Sequence, residues 1–70
     1  ALAQAVVDQG QRLALPGGGV LWWWLRGGGQ AQRVLVLELK RGELVWWTQR
    51  LATLTVDEAV AMYPALRQVL

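Results

Sequence analysis

The chain has 70 residues, none of which is histidine, cysteine or serine, and 54% of them are apolar. Seven basic and five acidic residues give a formal net charge of +2. The sequence lacks the commonest proton-transfer and nucleophilic side chains, and it lacks the thiolate and imidazole ligands of structural zinc sites. We therefore expect a protein that is not an enzyme and that uses no metal, no cofactor and no small-molecule substrate.

The length predicts a single small domain spanning residues 1–70. A domain of this size has a thin margin of stability that disulfides cannot increase here, so we expect association with a partner. The most apolar run covers only residues 20–25, whereas a membrane-spanning helix needs about 20 residues. With no visible signal sequence and no cysteine, the chain is expected to be soluble and cytoplasmic.

Helical spacing marks the beginning of the chain. Leu2, Ala5 and Val6 recur at intervals of three and four residues, which predicts a helix over residues 1–9 with one apolar face. Gly10 is suited to end this helix. Beyond it, alternating leucines leave room for a short extended segment before the first glycine run.

Runs rich in valine, leucine and tryptophan predict three strands, over residues 20–26, 33–40 and 43–50. Glycine-rich breaks at residues 16–19 and 27–30 flank the first strand. Arg41 and Gly42 separate the second and third, which predicts a tight hairpin turn in which Gly42 adopts positive φ. Short connections make the strands an antiparallel meander.

A capping box predicts where the last helix begins. Thr55 supplies the N-cap hydroxyl and Glu58 the carboxylate three residues later, so a helix should run from Val56 towards Leu70. Pro64 interrupts it and predicts a kink or break. The residues expected to face the core are Ala59, Val60, Tyr63, Leu66 and either Val69 or Leu70. The predicted fold is therefore α+β, a three-stranded antiparallel sheet with a helix before and after it.

Alternation along the strands divides the tryptophans between two sheet faces. The face assigned to the core carries Leu21, Trp23, Leu25, Leu35, Leu37, Leu39, Leu44, Trp46 and Thr48. The face expected to be exposed carries Val20, Trp22, Trp24, Arg26, Val34, Val36, Glu38, Lys40, Val45, Trp47 and Gln49. Three tryptophans on an exposed face would exceed the apolar patch that a monomer normally presents.

Three interpretations of that second face remain open. It is covered within the chain, for example by one helix on each face; or it is a protein interface; or it binds single-stranded nucleic acid by stacking bases on its rings. We favour a protein–protein interaction module that forms an oligomer or docks on a larger assembly, with single-stranded nucleic-acid binding as the alternative. The residues predicted to bind are Trp22, Trp24, Trp47, Arg26 and Lys40.

Overall fold

The structure is a computed structural model that describes residues 1–28 and 31–70. Its elements are α1 (Leu2–Gln9), β1 (Gln11–Ala14), β2 (Val20–Arg26), β3 (Arg33–Arg41), β4 (Trp46–Leu54), α2 (Val56–Met62) and a 3₁₀ helix (Pro64–Gln68). The predicted α+β class with an antiparallel sheet is confirmed. The prediction of three strands is wrong, because the described residues form four. Part of the break predicted at residues 27–30, namely Gly29 and Gln30, lies outside the described residues.

The additional strand, β1, lies at one edge of the sheet and pairs with β2. Its side chains alternate, so that Leu13 packs towards the core while Arg12 is exposed. The turn to β2 follows Pro16, and Gly17 and Gly18 adopt φ of 93° and 97°, a region that favours glycine. The glycine run therefore makes a hairpin turn between two strands where the sequence alone predicted only a break.

The sheet runs in the order β1-β2-β3-β4, and each neighbouring pair is antiparallel. Trp23 pairs with Val36, and Trp22 pairs with Leu37. The prediction placed the wrong residues of β2 and β3 on a common face. The observed register differs by one residue, and such a shift exchanges every side chain of a strand between faces. Trp22 and Trp24 therefore share a face with Leu35, Leu37 and Leu39, whereas Trp23 lies with Val34 and Val36.

The hairpin between β3 and β4 reverses two residues later than predicted. The Gly42 backbone N–H donates to the Val45 carbonyl at 2.8 Å, which places the reversal at Glu43 and Leu44. Gly42 does not adopt positive φ, contrary to the prediction. A Cβ at this position would instead collide with the Trp47 ring, so any side chain here would force that exposed indole to move. The predicted strand at residues 43–50 is correspondingly displaced to Trp46–Leu54.

A bulge interrupts the pairing of β3 with β4. Glu38 pairs with Arg50, and the next residue, Leu39, pairs with Thr48, which leaves Gln49 without a partner in the ladder. An unpaired residue of this kind changes which side chains share a face and bends the strand. Beyond the bulge, Trp46 lies opposite Arg41 and Trp47 lies opposite Lys40.

One face of the sheet packs under α2 and the 3₁₀ helix. The buried cluster there consists of Leu21, Trp23, Val34, Val36, Leu54, Ala59, Tyr63 and Leu66. The predicted capping box is present: the Glu58 N–H donates to Thr55 Oγ1 at 3.1 Å, and the Thr55 N–H donates to Glu58 Oε1 at 2.9 Å. The predicted break is also present, since α2 ends at Met62 and the 3₁₀ helix begins at Pro64.

The opposite face packs under α1. Val6, Leu35 and Leu37 are buried there, with Trp22 and Trp24 half-buried against them. The prediction that Leu25, Leu44 and Trp46 belong to the core is wrong, because all three are exposed. Val69 and Leu70 are exposed as well, so the prediction that one of them faces the core is wrong. Each face thus has its own helix, as the first of the three interpretations required.

Candidate interaction surface

The five residues predicted to bind do not share one face. Trp22, Trp24 and Arg26 lie on the face that α1 covers, whereas Lys40 and Trp47 pair with each other on the opposite face. The one-residue difference in the register of β2 and β3 causes this separation, and Trp47 stays with Lys40 as its cross-strand partner. The structure therefore divides the predicted site into two groups.

The first group is partly engaged in packing. Trp22 and Trp24 contact the buried cluster beneath α1 and are half-buried. The Arg26 guanidinium lies over the Trp24 ring, 5.6 Å from its centroid, which is within the range of a cation–π interaction. Trp24 and Arg26 consequently form a contact within the chain at the end of β2.

The second group belongs to the β3–β4 hairpin. Trp47 is 46% exposed and its ring lies against the backbone of Gly42. Lys40 is exposed beside it, as its partner across the two strands. These two residues are open to solvent at the end of the sheet where the hairpin reverses.

The end of this hairpin carries an exposed apolar surface, of which the sequence patterns predicted Val45 and Trp47 to be exposed but not Leu44 and Trp46. Leu44 is 92% exposed, Val45 is 64% exposed, and Trp46, like Trp47, is 46% exposed. The Arg41 guanidinium lies 5.9 Å from the centroid of the Trp46 ring. We call residues 43–47 the hairpin tip; four consecutive large apolar side chains lie there in contact with water.

The outer edge of β4 extends this surface. In the described part of the chain β4 is the last strand of the sheet, so its outer edge has no strand beside it. It is nine residues long, contains no proline, and its only charged side chain is Arg50. Long edge strands of this kind present free backbone donors and acceptors, which natural proteins usually shield.

A cleft opens where the face under α1 is not covered by that helix. Its volume is about 370 Å³, and its lining residues are Arg12, Val20, Trp22, Leu39 and Trp46. Two indoles and two aliphatic side chains make it apolar, and Arg12 is its one charged lining residue. Of the five lining residues, the predicted site included Trp22 alone. The pairing of Arg12 with Trp22 depends on β1, and the pairing of Trp46 with Arg41 places Trp46 on the same face as Leu39.

The acidic residue on the central strand is used for packing. The Tyr63 hydroxyl donates to Glu38 Oε2 at 2.6 Å, beneath the junction of α2 and the 3₁₀ helix. Burial of the phenol, together with this hydrogen bond, raises the pKa of Tyr63 to about 12. Both effects favour the neutral phenol, and the pair connects the helical layer to the sheet.

Within residues 1–28 and 31–70, no cluster of three or more acidic, histidine or cysteine side chains could hold a metal ion. In the same residues, no helix has the length and apolar character to cross a membrane.

No protein-family model matches the chain, and neither a curated protein nor a solved structure matches it.

Proposed function

We propose that this chain is a non-catalytic protein–protein interaction module, and that it binds through the hairpin tip and the free edge of β4. The single observation that carries the proposal is the exposure of Leu44, Val45, Trp46 and Trp47 in one continuous segment. Following the expectation set by the cysteine-free sequence, we place its action in the cytoplasm.

The energetic argument concerns apolar surface left in water. Each Å² of apolar surface removed from water contributes about 25 cal/mol. Burial of the four large apolar side chains of the tip against a partner would therefore favour association. Centres of protein interfaces are rich in tryptophan and arginine and are surrounded by a polar rim. Lys40 and Arg41 occupy such positions next to Trp47 and Trp46.

The edge of β4 supports the same function by a second physical route. An extended segment of another chain can add to a free sheet edge through backbone hydrogen bonds, while side chains near that edge supply specificity. Leu51 is an exposed apolar residue on this strand and lies beyond the tip along the same edge. Trp46 and Leu51 lie on the face under α1 and Trp47 lies on the opposite face, so tip and edge together surround the free margin of β4.

The predicted site is refined accordingly. Trp47 and Lys40 belong to the proposed surface, and Trp22 contributes through the cleft that it lines. Trp24 and Arg26 stabilise the fold by packing at the far end of β2. α1 covers part of the sheet face that carries Trp22 and Trp24, so less of that face is open to a partner than the sequence predicted.

The experiment measures the free energy of unfolding of a tip variant and, separately, site-specific cross-linking at the tip. Leu44→Ser with Val45→Ser should change the free energy of unfolding by less than about 0.5 kcal/mol, because exposed side chains contribute little to folding. A photoreactive residue at position 44, introduced in cells, should give one defined adduct, and adding Val45→Asp should remove it. Position 61, exposed on α2, is the control for cross-linking.

Matched substitutions on the helical side are Met62→Ser with Val69→Ser, which also remove exposed apolar side chains. They should leave the adduct at position 44 unchanged. Loss of several kcal/mol of stability in the Leu44 and Val45 variant would show that the tip is part of the core. Absence of any adduct at position 44 would show that the tip binds no protein, and either result would overturn the proposal.

Single-stranded nucleic-acid binding is the second candidate function, and arginine positions on the face under α1 favour it. Arg26 lies directly opposite Arg33, an arrangement of like charges that a phosphate would stabilise. Arg41 accompanies Trp46, whose ring is available for stacking. Titration with an oligodeoxythymidine of about 15 nucleotides at low salt should then quench tryptophan fluorescence. An unchanged emission spectrum would eliminate this candidate.

A further inference from the structure

The apolar cleft and the hairpin tip have complementary properties. The cleft is walled by Trp22 and Trp46 and has Arg12 at its margin. The tip carries Leu44 and Val45, which are the right size for an aliphatic pocket, directly after an acidic residue, Glu43. Each copy of the chain therefore presents an apolar tip beside a negative charge and an apolar cleft beside a positive charge.

We infer that the cleft receives the hairpin tip of a second copy of this chain, in a dimer with twofold symmetry. This inference rests on the proposed function and names its partner. Each copy gives its tip to the other and receives the other's tip, so the contact closes on itself and forms no chain of copies.

The spacing of the two features along the hairpin suits such an arrangement. Leu39 lines the cleft and Glu43 begins the tip, four positions further along the hairpin. Four extended residues span about 13 Å. A twofold axis midway between cleft and tip would place each tip over the other copy's cleft, with the two hairpins antiparallel.

Charge also favours a second copy as the occupant. In the twofold arrangement, Glu43 of each copy approaches the margin of the other cleft, where Arg12 lies. The same attraction therefore occurs twice in one dimer. A partner with a basic tip would be repelled by Arg12.

The buried area predicts the strength of association. A tryptophan offers roughly 250 Å² at most, so Trp46, which lines the cleft and is 46% exposed, contributes about 115 Å². The two aliphatic tip residues and the margin of the cleft bring each copy to several hundred Å², below the roughly 800 Å² per partner of a standard stable interface. We expect a reversible dimer with a dissociation constant of about 10 to 100 µM.

Sedimentation equilibrium with charge reversal tests the inference. The intact chain should change from monomer to dimer over about 1 µM to 1 mM. Glu43→Arg and Arg12→Glu should each weaken the dimer about tenfold, because each places like charges together at both contacts. The double variant with both reversals should return to within about threefold of the intact chain, since the attraction is restored with opposite polarity.

Arg67→Glu is the matched control, since it makes the same charge change at an exposed position on the 3₁₀ helix. It should leave the dissociation constant unchanged. Circular dichroism of each variant verifies folding, and rescue in the double variant keeps the test decisive even where one single variant is less stable.

Three results would overturn the inference. The first is a chain that stays monomeric to about 1 mM. The second is a dimer unaffected by either reversal, and the third is a double variant as weak as the singles. A defined adduct at position 44 with a different polypeptide, together with a monomeric purified chain, would reject self-association and leave the interaction function intact. Failure of both experiments would reject the function itself.

Discussion

The Tyr63 hydroxyl donates a hydrogen bond of 2.6 Å to Glu38 Oε2, and this bond joins the end of α2 to the central strand β3. It forms at the junction where Pro64 ends the α-helix. Because Tyr63 is buried and its acceptor is a carboxylate, the bond fixes where the helical layer rests on the sheet.

Tyr63→Phe should lower the free energy of unfolding by about 2 kcal/mol, because it leaves a partly buried carboxylate without its donor. Glu38→Gln keeps an acceptor and should cost less. Urea unfolding of both single variants and the double variant measures the coupling. If the two losses simply add, the hydroxyl and the carboxylate do not stabilise the fold as a pair.

Alkaline pH should destabilise the protein through the same tyrosine. The folded-state pKa of Tyr63 is raised from 10.0 to about 12, so its stabilising contribution is present below pH 10 and is lost as the pH rises through 12. Tyr63 is the only tyrosine in the chain, so absorbance at the tyrosinate band reports its ionisation alone. Tyr63→Phe is the control and should lack this part of the loss. A midpoint near pH 10 in the folded protein would contradict the prediction.

Gly10 should tolerate no side chain. A Cβ there would collide with the Val6 carbonyl and would lie 2.6 Å from the Trp23 carbonyl oxygen, both of them backbone atoms that cannot move independently. Gly10→Ala should therefore reduce the free energy of unfolding by about 2 to 4 kcal/mol. Gly28→Ala is the comparison, because no heavy atom lies within 4 Å of a Cβ there. Equal stabilities of the two variants would refute this steric account.

Removal of the cap should weaken α2 without changing the sheet. Thr55→Ala should cost about 1 kcal/mol, whereas Thr55→Ser keeps the hydroxyl and should cost much less. The hydrogen bond from the Thr55 backbone N–H lowers the pKa of Glu58 below 4.5. The contribution of Glu58 is therefore present above pH 4.5 and is lost as the pH falls through its folded-state pKa. Chemical unfolding at neutral and acid pH should show this loss in the intact chain and not in Glu58→Gln.

Local signals in the sequence predicted the helices well. The Thr55 and Glu58 cap, the Gly10 stop and the break at Pro64 each depend on residues within one or two turns, and all three are present. The additional strand was harder to predict, because a four-residue edge strand has too little alternation to distinguish it from a loop.

The register could not be predicted from pattern, for a physical reason. β3 is apolar on both sides, with Val34 and Val36 facing one way and Leu35 and Leu37 the other. Either side can face either helix with a similar gain from burial, so hydrophobic alternation does not select one pairing. The hairpin tip was hard to predict for a related reason, because Leu44 and Val45 have the composition of a strand, whereas Leu44 lies in the reversal and Val45 follows it.

The bulge at Gln49 puts a fixed bend in the β3–β4 hairpin. Deleting this residue would leave every other pair of β3 and β4 opposite its present partner, since Thr48 and Arg50 already face consecutive residues of β3. The deletion would straighten β4, because a bulge bends the strand that contains it. One polar residue, Gln49, thus sets the direction in which the tip end of the β3–β4 hairpin leaves the sheet. Loss of this residue would redirect that end and leave the rest of the sheet folded.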